Sequence, residues 1–167
     1  MKNRIIGGSG KSTLARDLGE RCGVPVCDLD RLQWSGAYGR RRPEAERAAL
    51  LREVLSQENW IIEGVYCAWT AETFAQADAT CLLEPPLALC RRRVIRRYCR
   101  RKRQGAGHGE TLRSLRALLR WMDAFQTRNL PAIRETLAPY GGKTLRVTEA
   151  MSTGDILSAL EDVLLIN

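Results

Sequence analysis

The sequence of 167 residues predicts an α/β fold in which a five-stranded parallel sheet carries helices on both faces. Three observations predict it. Short runs that are apolar throughout alternate with longer stretches whose apolar residues recur at helical spacing, the pattern of strands buried on both sides. A glycine-rich segment, Gly7-Gly8-Ser9-Gly10-Lys11-Ser12-Thr13, joins the first such run to the first amphipathic stretch. The acidic residues Asp28, Asp30 and Glu63 fall at the carboxyl ends of later strands, where parallel sheets bind their ligands.

Each element follows from its own residues. Asn3–Ile6 is the first strand, and Lys11 to about Cys22, with Leu14, Leu18 and Cys22 on one face, is the first helix, broken by Gly23-Val24-Pro25. Val26–Asp30 reads as a second short strand ending in two carboxylates. Trp34–Arg42, with Gly36 and Gly39, reads as a loop, and Glu44 to about Gln57 as a helix with Ala48, Leu51 and Leu55 inward. Trp60-Ile61-Ile62 is a third strand ended by Glu63-Gly64, a short helix covers Trp69–Gln76, and Ala79–Leu83 is a fourth strand stopped by Glu84-Pro85-Pro86. Leu87, Cys90, Val94 and Tyr98 share a face of a long helix and leave its arginines on the other sides. Gln104–Gly109 is a flexible connector. A helix from Thr111 to Arg128, with Leu115, Leu119 and Met122 inward, precedes a second piece from Pro131 to about Tyr140. Thr144–Val147 is the fifth strand, and Ser152 or Thr153 caps a last helix with Ile156, Leu160 and Val163 inward.

The segment Gly7–Thr13 is a phosphate-binding loop. Glycines let successive N–H groups turn toward an anion, and the helix opening at Lys11 adds its positive end. Gly8, Ser9, Gly10, Lys11, Ser12 and Thr13 would surround the phosphates, with Lys11 on the outer ones and Ser12 on a magnesium ion. The full motif places glycine where this chain has Ile5, so Gly7 must serve the turn. Two carboxylates facing such a loop, Asp28 and Asp30, would repel unless a cation or donor lay between them.

The formal net charge is +8, and nine of the thirteen residues from Arg91 to Arg103 are Arg or Lys. An anionic partner is implied, either a nucleotide or a polynucleotide. Six cysteines without a C-x-x-C pair read as reduced and mostly buried, and a single histidine, His108, excludes histidine-based metal sites and Ser-His-Asp triads. No apolar stretch approaches membrane-spanning length, and the loop lies within a few residues of Met1. A soluble, cytoplasmic protein of one domain without a signal peptide is expected.

The chain resembles the small P-loop kinases of the nucleoside-monophosphate kinase type. The resemblance rests on Gly7–Thr13, on Trp60-Ile61-Ile62-Glu63-Gly64, and on Ala77–Leu83 followed by Pro86 and the arginine helix. It is nearest to the adenylate-kinase-related DNA topology modulation (FlaR-related) proteins, through Leu29-Asp30-Arg31-Leu32-Gln33-Trp34. Glu63 stands where that family usually has Asp. Asp28-Leu29-Asp30 also resembles the Asp-x-Asp of small-metabolite kinases such as shikimate kinase.

The resemblance implies a P-loop NTPase fold with a small helical lid at about 98–116, and transfer of the ATP γ-phosphoryl to a nucleotide or other small acceptor with magnesium. Asp30 would orient an acceptor hydroxyl, and Asp28 or Glu63 would hold the magnesium shell with Ser12. Arg93 and Arg97, four apart on one helical face, fit the arginines of the first lid helix, where cations on a moving phosphoryl are the main catalytic resource. Arg113, Arg116 and Arg120 compete for the corresponding place on the second. Trp34 and Trp69 are candidates for the acceptor pocket. Two other readings fit the same residues: a DNA-associated nucleotide-binding protein whose basic helix contacts phosphates, and a degenerate nucleotide binder suggested by Ile5.

Overall fold

The computed structural model describes residues 1–35, 39–105, 111–148 and 151–166. Gly36 and most of the expected 104–109 connector, including Gly107, His108 and Gly109, lie outside them, as do the side chains of Thr153 and Val163. In chain order the elements are β1 (Lys2–Gly7), α1 (Lys11–Cys22), β2 (Val26–Asp28), α2 (Leu29–Gln33), β3 (Trp34–Ser35), β4 (Arg40–Arg41), α3 (Glu44–Leu55), β5 (Trp60–Glu63), α4 (Ala71–Gln76) and β6 (Ala79–Leu83). They continue with α5 (Leu87–Arg103), α6 (Leu112–Ala124), a π-helical turn (Phe125–Asn129), α7 (Leu130–Leu137), a 3₁₀ segment (Ala138–Lys143), β7 (Thr144–Val147) and α8 (Thr153–Ile166).

The five-stranded parallel sheet has the order β2-β5-β1-β6-β7. Adjacent residues of its central strands point to opposite faces, as the period of two requires. Ile5, Ile61 and Cys81 pack with Leu14 and Leu18 of α1 and Ile156 and Leu160 of α8. Ile6 and Leu82 pack instead with Phe74, Phe125, Ile133 and Leu137 on the other face. A third cluster sets Ile62 and Trp60 against Leu51 and Leu55 of α3. Ile5, Ile6, Ile61 and Ile62 are each fully buried, which stabilises the sheet by roughly 1.5–3 kcal/mol per side chain.

Several expectations change in detail. The second strand ends at Asp28, because the Asp28 carboxylate accepts the N–H of Asp30 at 2.9 Å and starts α2 there. Trp34 and Ser35 pair antiparallel with Arg41 and Arg40, so the expected loop holds a short hairpin. Ser152 is the residue that caps α8: its hydroxyl accepts from Asp155 N–H, and Asp155 accepts from its N–H in return. Of the cysteines, Cys81 and Cys90 are buried, Cys27 and Cys67 are half-buried, and Cys22 and Cys99 are exposed, so burial is not their common state. Pro131 does not break the helix. It has no N–H to give its preceding turn, and the chain widens into the π-helical turn just before it and continues as α7.

The arginine helix keeps Cys90 buried and Val94 and Tyr98 half-buried, as the pattern requires. Arg100, Arg101, Lys102 and Arg103 fill its last turn, where cations meet the negative end of the helix dipole. Arg91 bridges to Asp123 of α6 at 2.6 Å and ties the two helices together. Among the described residues, no helix is long and apolar enough to cross a membrane.

Candidate functional site

The glycine-rich loop is fixed against the end of β6. Gly7 closes β1 with φ +115°, and a Cβ there would lie 2.1 Å from the carbonyl oxygen of Leu83, so no other residue fits. Gly8 N–H donates to that same carbonyl at 2.7 Å. Gly10, at φ +111°, turns the chain into α1 without any side-chain cap, leaving the first N–H groups of the helix to a ligand. With Ile5 buried inside β1 and Gly7 making the turn, the loop is shorter than the full motif and still ends at Lys11.

Lys11 donates from Nζ to the Gly8 carbonyl at 3.1 Å, folding its side chain back over the loop. Burial pulls its ammonium below the usual lysine range, while the carboxylates of Glu63, Asp30 and Asp28 hold it up. Ser12 Oγ donates to Glu63 Oε1 at 2.6 Å. Burial pushes the Glu63 carboxyl above its usual range, against the opposing pull of Ser12 and Lys11. A hydroxyl and a carboxylate side by side, both hard oxygen donors, suit magnesium, which takes one or two protein ligands and completes its shell with phosphate oxygens and water. Asp28 is in register with Glu63 on the adjacent strand, but one of its oxygens is already used on Asp30 N–H.

Asp30 therefore does not stand two residues along a strand from Asp28, as the sequence suggests. It sits in the first turn of α2, exposed, and accepts from the Tyr66 hydroxyl at 2.7 Å. Tyr66 stacks at 5.6 Å from Trp69, and burial, then this hydrogen bond, pushes its phenol up. Arg47, buried on α3, lies 5.1 Å over the Trp69 ring and donates to Gln33 at 2.8 Å. Of the two expected tryptophans, Trp69 stands beside Tyr66, which the sequence reading does not single out, and Trp34 lies in the hairpin opposite Arg41.

The segment carrying Tyr66 is fixed from below by Arg4. This residue is fully buried in β1 and donates to the carbonyls of Ile62, Gly64 and Tyr66 at 3.2, 3.1 and 3.0 Å. Its guanidinium lies 5.3 Å over Phe74, and burial lowers its pKa to about 10. An arginine directly before the apolar pair Ile5-Ile6, within the first strand, is the signal that could have revealed it.

Of the expected arginines, Arg93 reaches the loop, donating from Nη1 to the Ser9 carbonyl at 3.3 Å. Arg97 lines the same cleft together with Arg100, which the sequence does not distinguish from its neighbours. Arg113, Arg116 and Arg120 on α6 are exposed and are not among the residues lining that cleft. A further group missed in the sequence is Glu84, whose nearly buried carboxylate accepts from Arg134 of α7 at 2.6 Å and from Arg146 of β7 at 2.6 Å. Burial raises its pKa and the two arginines more than reverse that, leaving the carboxyl below its usual range. Such pairs, far apart in sequence, leave no local pattern.

A parallel sheet of this order with a glycine loop between β1 and α1 is the P-loop kinase fold, and comparison with solved structures agrees. A gluconokinase from Sinorhizobium meliloti superposes with a TM-score of 0.53 at 19% identity, over 99% of this chain and 91% of the other. A shikimate kinase from Acinetobacter baumannii, in complex with shikimate, gives 0.56 at 17% identity, over 99% and 93%. No family model and no curated protein matches the sequence.

Proposed function

We propose that the chain is an ATP- and magnesium-dependent phosphotransferase that moves the γ-phosphoryl group to a hydroxyl of a small acceptor. The observation that supports it most is the convergence on one loop of Lys11, the Ser12–Glu63 pair and Asp30, whose charges reach one another. Lys11 would release Gly8 and take the outer phosphates. Magnesium held through Ser12 and Glu63 would neutralise charge on the β- and γ-phosphates. Tyr66 engages one oxygen of Asp30, and the other would take the proton of the acceptor hydroxyl. The acceptor oxygen then bonds to the γ-phosphorus as the bond from that phosphorus to the β–γ bridging oxygen breaks, giving ADP and the acceptor phosphate. Arg93 and Arg97 would meet the charge spread over the moving phosphoryl. The lid reading of 98–116 belongs to the same proposal, with α5 and α6 as its two arms, and ATP as donor would place the reaction in the cytoplasm.

The nucleic-acid reading, including DNA topology modulation, draws on the charge of α5 and on the resemblance at Leu29–Trp34. Arg93 at Ser9 and Arg97 in the cleft give those cations a local task instead.

Magnesium-ATP is expected to raise the melting temperature of the protein, because a ligand bound only by the folded state stabilises it by mass action. Lys11→Ala should abolish the shift. Asp30→Asn should keep the shift and lose turnover, measured as ADP release across nucleoside monophosphates and small hydroxylated metabolites. A shift that survives in Lys11→Ala overturns the reading.

A further inference from the structure

A cavity of about 670 Å³ extends from the phosphate loop, within the range of small-ligand sites. Lys11, Arg93 and Arg97 give its lining positive charge, and Leu118, Trp121 and Gln126 line the same cavity. We propose that the base of the bound nucleotide is a purine that stacks on Trp121 and is read along one edge by the Gln126 amide. The proposal rests on the nucleotide-binding reading above and adds what holds the part of the ligand that is not phosphate.

Trp121 is 47% exposed, whereas its neighbours Met122 and Phe125 are buried at 8% and 5%. Its ring lies 5.2 Å from Phe125 at 32°, so the core supports one side of the indole while the rest borders the cavity. A rigid aromatic surface left in contact with solvent beside a polyphosphate loop offers stacking to any base, and a bicyclic base covers more of it. Gln126 lies in the π-helical turn at Phe125–Asn129, a geometry frequent at functional positions. The widened turn keeps Phe125 in the core and leaves the next residue lining the cavity. The Gln126 side chain has no hydrogen-bond partner among the described residues, and its amide offers both donors and an acceptor to a purine edge.

Titration calorimetry with magnesium tripolyphosphate, ADP and CDP separates the base from the phosphates. Trp121→Ala is expected to weaken ADP about five- to hundredfold while leaving tripolyphosphate unchanged, and Trp121→Phe to keep most of the ADP affinity. Gln126→Leu, with an unchanged melting curve, should narrow the preference for ADP over CDP. Unaltered ADP affinity in both Trp121→Ala and Gln126→Leu, with tripolyphosphate binding still lost in Lys11→Ala, would overturn the base site and leave the phosphate site standing. Tripolyphosphate and ADP binding untouched by Lys11→Ala would overturn both.

Discussion

Glu63, the last residue of β5, and Glu84, just after β6, are buried carboxylates on the two strands that flank β1, and their surroundings drive them in opposite directions. Around Glu63 burial wins, and its folded pKa lies above the unfolded value of about 4.3. The folded protein then holds that proton more tightly than the unfolded chain. The stability involved is present below the unfolded pKa and is lost as the pH rises through the folded one. Glu63→Gln, which can still accept from Ser12, should therefore melt higher than the parent protein at neutral pH, with the difference closing toward pH 4. The same variant should lose the magnesium dependence of nucleotide binding. Thermal melts across that range, with and without magnesium-ATP, test both statements. A lower melting point at neutral pH would show that Lys11 and Ser12 outweigh the burial of the charge.

At the scale of elements, Glu84 is a fastener. It follows β6, takes Arg134 from α7 and Arg146 from β7, and its N–H donates to the Val147 carbonyl at 2.8 Å. Pro85 beside it lies against Gly8, where a Cβ would meet the ring at 3.2 Å. The lowered Glu84 pKa gives the opposite sign from Glu63: its stabilisation is present above the unfolded pKa and is lost as the pH falls through the folded value. Glu84→Gln should cost about 1.5–3 kcal/mol in urea unfolding at pH 7, the range for hydrogen bonds to a charged group, and much less near pH 3. Equal losses at both pH values would mean that the charge is not what binds the three elements.

The elements also show what could be read from the chain. Trp60-Ile61-Ile62 and Ala79–Leu83 are legible because a strand buried on both faces leaves an apolar run. Asp28-Leu29-Asp30 is misread because an aspartate at a strand end and an aspartate capping a five-residue helix look alike, and so short a helix has no period to detect. In the site, Lys11, Ser12 and Glu63 are legible from the loop and the strand end. Tyr66, Arg4 and Trp121 are not, since their roles come from contacts with residues distant in sequence or from a cavity that exists only once α5 and α6 lie beside the loop.

For the whole molecule, the sheet order sets how the fold can assemble. β1, which ends in the phosphate loop, lies between β5 and β6, with Asn3 opposite Ile61 on one side and Ala79 on the other. Neither neighbour is close in sequence, so each pairing closes a long loop before it gains any contact. A fragment ending at Gln76 lacks β6 and leaves Ile5 and Ile6 without half of their partners. Its urea titration should show no cooperative transition, unlike that of the full chain, and a sharp transition in the fragment would contradict this account. During synthesis the same order imposes a wait. The strand that leads into the glycine loop, with Ile5 and Ile6 at its centre, can pair on one edge once β5 is made and keeps its other edge open until β6 follows. Helpers that shield nascent chains would meet it there, and slow translation between Trp60 and Leu83 should expose the protein to aggregation more than a pause anywhere later.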